Sequence, residues 1–482
     1  MRILLTNLPR ESETRDYTTR EYLLTDFSRY PPLGLLAIAA DVEPRHSIKV
    51  LDVIVANMSI QDTIQYIQDY KPDVLGISVV TRRLYAMRVV TQAVKQALPN
   101  TAIVVGGPHI NYWPTETLQL GALDYVLPGY GERTFPLLID AIEAGEKPDM
   151  LRDIPNLHYR ADDQICSNPS DEESIVLDSL PFPNRQLLDL KAYYSAVDKD
   201  SMTTTYSSRG CPFRCIFCDV QEKHYRYRSA QRLVDEFEEI IKLGFKEIHV
   251  FDDTFNIRRQ RVIDICNEIL RRGLKVRWSA RSRVSPFDEE MMSLLKRAGC
   301  SRLHVGVESL DPAMLRLMNK KQTFEQIQSF FRLCKEYDME TLAYFIIGFP
   351  GETREYRRSL YKEVSKLGAT YAFVNVLYPL PKTKYYESLI ADATFREDHW
   401  AHFVQNPTAD FYLPFPRSPE LQRELVATAD DFHRRFCYSP RFILSEFRKA
   451  RLNPKMLLFR IKLALVLLRE TWLQRRQVVG IN

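Results

Sequence analysis

The chain has 482 residues, of which 45% are hydrophobic and 27% charged, and its net charge is +4. This length provides for two or three domains. No apolar run approaches the roughly 20 residues of a membrane span, which argues against a spanning helix. The first residues read as a strand rather than a signal peptide. Eight cysteines without a regular framework predict a reducing, cytoplasmic environment.

The first 145 residues alternate short β-branched runs with amphipathic helical stretches such as Leu33–Val42 and Ala86–Leu98. This alternation predicts an α/β domain with an open, doubly wound parallel sheet. The five predicted strands are Arg2–Thr6, Ile48–Val53, Asp73–Val79, Thr101–Val105 and Asp124–Leu127. Residues 146–195 carry prolines and an acidic run, and they predict a linker with a hairpin or a loose excursion.

Small residues follow the third, fourth and fifth of these strands, where such sheets bind their ligands. Glycines placed directly after a strand let a ligand approach the backbone closely, although ordinary turns also use them. The candidate ligand contacts are Ser78, Thr81, Gly106, Gly107, Gly129 and Gly131.

A second alternation of strands and helices spans residues 196–390. Six such units predict a partial (β/α)6 barrel with its chemistry at the carboxyl ends of the strands. The predicted strands are Thr203–Ser208, Lys246–Phe251, Val276–Ser282, Arg302–Val307, Thr341–Ile347 and Tyr371–Leu377.

Cys211, Cys215 and Cys218 follow the first barrel strand with the spacing C-x3-C-x2-C. Electron-transfer clusters normally have four thiolates each, so three cysteines predict a 4Fe–4S cluster that keeps one iron without a protein ligand. A zinc site with His224 as fourth ligand is the alternative. The other five cysteines, Cys166, Cys266, Cys300, Cys334 and Cys437, are scattered in apolar or helical contexts and read as buried free thiols.

The run Arg-Gly-Cys-Pro-Phe-Arg-Cys-Ile-Phe-Cys, with Phe217 before the last cysteine, resembles the signature of radical S-adenosylmethionine enzymes. The resemblance implies that the free iron chelates the methionine part of S-adenosylmethionine. One electron then cleaves the sulfonium and produces a 5′-deoxyadenosyl radical.

The ends of the later barrel strands carry residues suited to S-adenosylmethionine. The Asp252 carboxylate can accept hydrogen bonds from the methionine ammonium, and Arg281 can form an ion pair with the methionine carboxylate. Glu308 matches the family's ribose or methionine contact. Gly348 lies in a stretch that resembles the family's adenine-contacting segment, so a backbone contact is expected there. A helix cap for the aspartate and a surface ion pair for the arginine are the structural alternatives.

The N-terminal third resembles the cobalamin-binding domain that precedes a subclass of radical S-adenosylmethionine enzymes. Its Gly-Gly-Pro-His and Gly-Tyr-Gly-Glu strand ends carry this resemblance. The D-x-H-x-x-G motif whose histidine ligates cobalt elsewhere is absent, and many members of the subclass also lack it. His109 is a poor substitute, because a lone histidine after paired glycines is more often structural or solvent-facing.

Residues 391–482 predict a mainly helical region. Residues 441–482 carry ten Lys or Arg and two acidic residues, a local charge of +8. Lys455–Leu473 predicts one amphipathic helix. Such a helix either packs on the barrel or lies on an anionic membrane surface.

These features together predict a cobalamin-dependent radical S-adenosylmethionine methyltransferase that acts on a small-molecule or lipid-like substrate. A cyclase or ring-rearrangement enzyme with the same cofactors is the nearest alternative, and an iron–sulfur electron carrier is a more distant one. The resemblance implies an external reductant such as flavodoxin or ferredoxin. No basic patch interleaved with aromatic residues predicts nucleic-acid binding.

Overall fold

The computed structural model describes residues 1–10, 29–42, 45–161, 164–170, 175–195, 200–450 and 458. Two parallel sheets, one in each half of the chain, form its framework. Helices cover both sheets, and the carboxyl-terminal part of the described chain is helical. This architecture confirms the predicted fold class.

The N-terminal sheet has seven strands in the order β2-β1-β3-β4-β5-β6-β7. Its strands are β1 Arg2–Thr6, β2 Ser47–Leu51, β3 Val74–Ser78, β4 Ala102–Gly106, β5 Tyr125–Val126, β6 His158–Ala161 and β7 Gln164–Ser167. The first five run parallel, whereas β6 and β7 form an antiparallel hairpin on the β5 edge. The hairpin expected in the linker is therefore part of this sheet.

Helices lie on both faces of the N-terminal sheet. They are α1 Leu33–Ala40, α2 Ile60–Tyr70, α3 Leu84–Ala97, α4 Pro114–Gln119, α5 Gly131–Glu143 and α6 Pro148–Arg152. The central strands β1, β3 and β4 are largely buried apolar runs, as expected for a sheet covered on both sides. Ser59 begins α2 with a capping box, in which its hydroxyl accepts from the Asp62 amide.

The second sheet has six parallel strands, and each pairs with its neighbour in the chain order of the barrel. They are β8 Met202–Thr205, β11 Glu247–Val250, β12 Trp278–Ser282, β13 Cys300–Glu308, β14 Glu340–Ile347 and β15 Tyr371–Val376. Two short strands, β9 Ser208–Arg209 and β10 Arg226–Tyr227, pair antiparallel. This pair closes the base of the loop that carries the three cysteines.

Helices alternate with the barrel strands and continue beyond them. They are α7 Ala230–Lys242, α8 Arg259–Arg271, α9 Glu289–Arg297, α10 Pro312–Leu317, α11 Phe324–Glu336, α12 Arg354–Leu367, α13 Lys384–Ala391, α14 His399–Gln405, α15 Pro419–Cys437 and α16 Pro440–Ala450. Helix α15 packs against β15 and α12. None of the helices within the described ranges is long and apolar enough to cross a bilayer. The helix predicted over Lys455–Leu473 lies outside the described residues, apart from Leu458.

One hydrophobic core joins the two halves of the protein. Ile77, Val105 and Trp113 of the N-terminal domain belong to the same buried cluster as Met318 and Trp400. Burial of shared apolar surface fixes the relative position of packed units. The N-terminal sheet and the barrel therefore form one packed body.

Candidate active site

The three candidate iron ligands lie on the loop after β8. Cys211, Cys215 and Cys218 are half-buried free thiols. Burial raises the pKa of the Cys218 thiol to about 11. Main-chain hydrogen bonds hold the loop in place: the Cys211 amide donates to Glu222 O at 2.9 Å, and the Ile216 amide donates to Met318 O at 3.1 Å.

The donor set of this loop suits an iron–sulfur cluster with three protein ligands. Of the other cysteines, Cys266, Cys300 and Cys334 are buried in the barrel core. Among the described residues, no three His, Cys, Asp or Glu side chains lie close enough to ligate a single metal ion. Ligands of a cluster can lie further apart, because each thiolate binds a different iron.

Asp252 is fully buried and holds the entrance of the cysteine loop. Its Oδ1 accepts from the amides of Ser207 and Ser208 at 2.7 and 2.9 Å, and its Oδ2 accepts from both serine hydroxyls. Both carboxylate oxygens are used in this way. These four hydrogen bonds position the loop, and the expectation that Asp252 binds the methionine ammonium stays a prediction.

Asp253 is the neighbouring carboxylate, and only one of its oxygens accepts a hydrogen bond from the residues that the structure describes. Its Oδ2 accepts from the Gly210 amide at 3.1 Å. Burial, with a contribution from the Asp252 charge, raises its pKa. Thr254 Oγ1, on the next residue, lies 3.6 Å from Cys211 Sγ. The paired aspartates are visible in the sequence, but only the structure shows that they have different hydrogen-bond partners.

Arg281 is the penultimate residue of β12, and its guanidinium lies 3.3 Å from the centre of the Phe251 ring. Burial lowers its pKa, while Tyr344, Tyr30, Tyr206 and Asp253 oppose that shift. Within the described part of the chain, its guanidinium has no carboxylate in ion-pair contact. A desolvated cation without such a partner suits a ligand carboxylate.

Glu308 forms an ion pair with Lys320, whose Nζ donates to Oε1 at 2.7 Å. Gly306 makes room for this pair, because a Cβ there would lie 2.3 Å from Glu308 Oε1. Lys320 Nζ also lies 5.9 Å from the centre of the Phe217 ring. The pair therefore places Glu308 beside the cysteine loop, and sequence analysis did not anticipate Lys320.

Gly348 follows β14 with φ +97°. Its amide donates to Glu352 Oε2 at 3.0 Å, and its carbonyl accepts from Arg417. The Gly348 carbonyl can accept a second hydrogen bond, so the adenine contact expected at this residue stays a prediction. Glycine suits this position for two reasons. It adopts the positive φ without strain, and a Cβ there would lie only 2.9 Å from Leu425 Cδ1. The next residue, Phe349, packs edge-to-face on Phe217.

The six residues predicted to contact cobalamin lie at the carboxyl ends of the adjacent strands β3, β4 and β5 or in the loops that follow them. Gly107 has φ +96°, and a Cβ there would lie 2.8 Å from both Ser78 Oγ and the Val79 amide nitrogen. Gly129 has φ +75°, and its amide donates to Asn111 Oδ1 at 2.9 Å. Gly131 begins α5. The structure thus gathers these residues at one edge of the sheet.

His109 is a structural residue, which confirms one of the two expectations for it. It is fully buried, and its Nδ1 and Nε2 each lie 3.0 Å from a threonine hydroxyl, of Thr81 and Thr117 respectively. Burial lowers its pKa to about 3. Both ring nitrogens are engaged, so His109 is not available as a cobalt ligand.

The loops at the carboxyl ends of β3, β4 and β5 contact the cysteine loop on both sides of its three cysteines. The Tyr112 hydroxyl donates to the carbonyl of Asp219, the residue after Cys218. Arg209 forms a two-pronged ion pair with Glu132 and lies over the ring of Tyr130. The two candidate cofactor sites therefore face each other across direct contacts.

Comparison with known proteins agrees with this arrangement. Residues 205–364 match the model of the radical SAM superfamily, and residues 22–139 match the B12 binding domain. An uncharacterized methyltransferase of Pyrococcus horikoshii is 32% identical over 78% of this chain and 82% of its own length. The anaerobic magnesium-protoporphyrin IX monomethyl ester cyclase of Rubrivivax gelatinosus is 26% identical over 89% of this chain and 78% of its own length.

A solved structure has the same fold. The radical S-adenosylmethionine methyltransferase TsrM from Kitasatospora setae, with cobalamin and a [4Fe–4S] cluster bound, has a TM-score of 0.62 at 21% identity. The match covers 81% of this chain and 78% of that one. The chain belongs to the radical S-adenosylmethionine enzymes that carry a cobalamin-binding domain. Its cofactors are a 4Fe–4S cluster, S-adenosylmethionine and cobalamin.

Proposed function

We propose that the protein transfers a methyl group to an unactivated carbon of a small-molecule or lipid-like substrate. This proposal depends on the direct contact between the cysteine loop and the candidate cobalamin site at the carboxyl ends of β3, β4 and β5. Tyr112 with Asp219 and Glu132 with Arg209 hold the two sites together. A substrate bound between them would be within reach of both.

The residues of the chain bind and orient the cofactors, which supply the reactive groups. When bound, S-adenosylmethionine at the cluster supplies a 5′-deoxyadenosyl radical, and cobalamin supplies the methyl group. We assign Asp253 to the methionine ammonium, Arg281 to its carboxylate and Glu308 to the ribose or methionine part. Phe217 lines this site from the cysteine loop. Fixed charges in a site closed to water act more strongly than they would in solution.

The cobalamin contacts remain a proposal for Ser78, Thr81, Gly106, Gly107, Gly129 and Gly131. Their position at the ends of adjacent parallel strands supports it, because such sheets bind ligands there. Gly107 and Gly129 have positive φ angles, which glycine adopts without strain, so the chain can turn sharply after both strands.

Anaerobic reconstitution tests the proposal. The protein is loaded with iron, sulfide and hydroxocobalamin, reduced with dithionite and given S-adenosylmethionine. We expect a corrinoid band in the visible spectrum and 5′-deoxyadenosine as a product. Cys215→Ala is the matched control, since it should lose iron but keep the corrinoid. A wild-type protein that holds the cluster but no corrinoid would refute the proposed function.

A cyclase reaction without methyl transfer is the second candidate, and the cyclase of Rubrivivax gelatinosus favours it by matching 89% of this chain. The two reactions differ in their by-products. Methyl transfer produces both S-adenosylhomocysteine and 5′-deoxyadenosine, whereas cyclisation produces no S-adenosylhomocysteine. Labelling the methyl group of S-adenosylmethionine with deuterium and following it into the product decides between them.

Peripheral contact with an anionic membrane is a further proposal for the carboxyl-terminal region. Ile443, Leu444 and Phe447 are exposed on α16, and residues 441–482 have a charge of +8. Exposed apolar side chains next to basic ones suit the surface of an anionic bilayer. Co-sedimentation with phosphatidylserine vesicles, with the full chain and with a version ending at Pro454, tests it. Equal binding of both would refute a lipid role for residues 455–482.

A further inference from the structure

Most of the cysteine loop is covered by other parts of the protein. The N-terminal domain covers the end near Asp219 through the Tyr112 hydroxyl. Helix α13 covers the middle, where the Tyr385 amide donates to Ile216 O at 2.9 Å. Phe349 covers the ring of Phe217.

One side of the loop is open. Between Ser208 and Cys218, the exposed residues are Pro212 and Arg214, whereas the others are buried or half-buried. Arg214 is bonded to the candidate iron ligand Cys215, so their Cα atoms lie about 3.8 Å apart. Any molecule that contacts this side therefore comes close to the cluster.

The segment beside this opening is basic. Residues 312–321 contain Arg316, Lys320 and Lys321 and no carboxylate. Arg316, Leu317 and Lys321 are exposed, and Leu317 is 43% exposed.

Two hydrogen bonds, one from a side chain and one between main-chain groups, fix this segment next to the loop. Asn319 Nδ2 donates to Arg214 O at 2.8 Å, and the Ile216 amide donates to Met318 O at 3.1 Å. The cationic side chains of the segment therefore lie beside the opening of the cysteine loop.

The three exposed cations remain available to a partner. In the described residues, the side chains of Arg214, Arg316 and Lys321 take part in no ion pair. Lys320, in contrast, is paired with Glu308. Exposed cations around an apolar side chain suit an acidic protein with an apolar patch at its redox centre.

We propose that Pro212, Arg214, Arg316, Leu317 and Lys321 form the docking surface for an acidic, low-potential electron-transfer protein, and we name this surface the electron-entry face. The carrier gives one electron to the cluster and is itself oxidised by one electron. The inference rests on the proposed function, because it requires that the three cysteines bind a redox-active cluster.

The test compares two reductants in the same protein. The variant carries Arg214→Glu, Arg316→Glu and Lys321→Glu together. Electrostatic steering raises association rates by about 10–10³-fold. We therefore expect reduced flavodoxin to support 5′-deoxyadenosine formation about tenfold or more slowly than in the wild type. With dithionite, which needs no docking surface, the two rates should agree within about twofold.

A binding measurement gives a second readout that does not depend on turnover. Oxidised flavodoxin is titrated with the wild-type protein at rising salt, and calorimetry follows the affinity. We expect wild-type binding to weaken with salt, and the charge-reversed variant to bind at least tenfold more weakly at low salt.

The matched control reverses three exposed lysines at the other end of the barrel: Lys242→Glu, Lys246→Glu and Lys275→Glu. This variant has the same net charge as the first, so a drop in both would refute a specific surface. Unchanged flavodoxin-driven rates in the first variant would overturn the inference. The inference would also be overturned if neither flavodoxin nor ferredoxin reduced a wild-type protein that dithionite does reduce. If the wild type does not respond to dithionite either, the proposed function itself is wrong.

Discussion

Arg209, two residues before the first cysteine of the loop, forms a two-pronged ion pair with Glu132 at the start of α5. Glu132 is only 6% exposed. Its pKa is lowered by the Arg209 guanidinium, against the effect of burial. This contact connects the chain segment that carries the cluster to the domain that carries cobalamin.

The first prediction concerns this ion pair. Glu132→Gln leaves the Arg209 cation without its partner, and breaking a buried pair costs about 3 kcal/mol. We expect a lower free energy of unfolding in urea, followed by intrinsic fluorescence. The double variant Glu132→Gln with Arg209→Gln should recover part of the loss, because no charge is then left unpaired. A double variant less stable than the single one would contradict this account.

The second prediction separates the two aspartates of the loop site. Asp252→Ala removes the acceptor of four buried donors, and each unsatisfied group costs about 1–3 kcal/mol. We expect the cysteine loop to lose its position and the reconstituted protein to hold less than about half of its iron. Asp253→Ala is the matched variant. It should keep its iron and bind S-adenosylmethionine about tenfold or more weakly, since a charge-assisted hydrogen bond contributes about 1.5–3 kcal/mol. Iron analysis and equilibrium dialysis measure the two effects, and the opposite pattern would assign the methionine ammonium to Asp252.

The third prediction is a pH effect at Glu352, whose pKa burial raises from 4.5 to about 7. The folded protein binds this proton more tightly than the unfolded chain does. The contribution to stability is therefore complete below about pH 4.5 and is lost as the pH rises to about 7, a change of about 3 kcal/mol. Glu352→Gln removes the titration, so its melting temperature should gain on that of the wild type between pH 5 and pH 8. A difference independent of pH would contradict the prediction.

The fourth prediction tests the edge of the N-terminal sheet. Gly107→Ala places a Cβ 2.8 Å from Ser78 Oγ in a residue with φ +96°, so both strand ends must shift. We expect weaker retention of hydroxocobalamin on a desalting column, with an unchanged iron content. Gly34→Ala is the control, because no atom of the described residues lies within 4 Å of a Cβ there. Equal corrinoid retention by both variants would show that the turn at Gly107 does not shape the site.

Local patterns in the sequence were sufficient for the framework of the protein. The strand predicted over Arg2–Thr6 has those bounds in the structure, and that over Thr341–Ile347 begins one residue earlier, at Glu340. Hydrophobic runs and the residues that break them determine such segments. The cysteine spacing also identified the loop, since its residues are adjacent in the chain.

The side-chain roles could not be predicted in the same way, because they depend on contacts between distant segments. Asp252 accepts hydrogen bonds from two serines that lie 44 and 45 residues earlier in the chain. Tertiary packing therefore determines which of the two adjacent aspartates faces inward. Glu308 has φ +65° at a register shift between β13 and β14. This irregularity turns it towards Lys320, and no local pattern signals it.

The hydrophobic core that spans both domains has a consequence for how the enzyme could change. With Trp113 and Met318 in one cluster, the separation of the two cofactor sites is set by packing and not by a hinge. A new substrate would then be accommodated by altering the loops that line the gap, while the gap itself keeps its width. For the same reason, exchanging the N-terminal domain for that of a relative would require exchanging α13 and α14 with it.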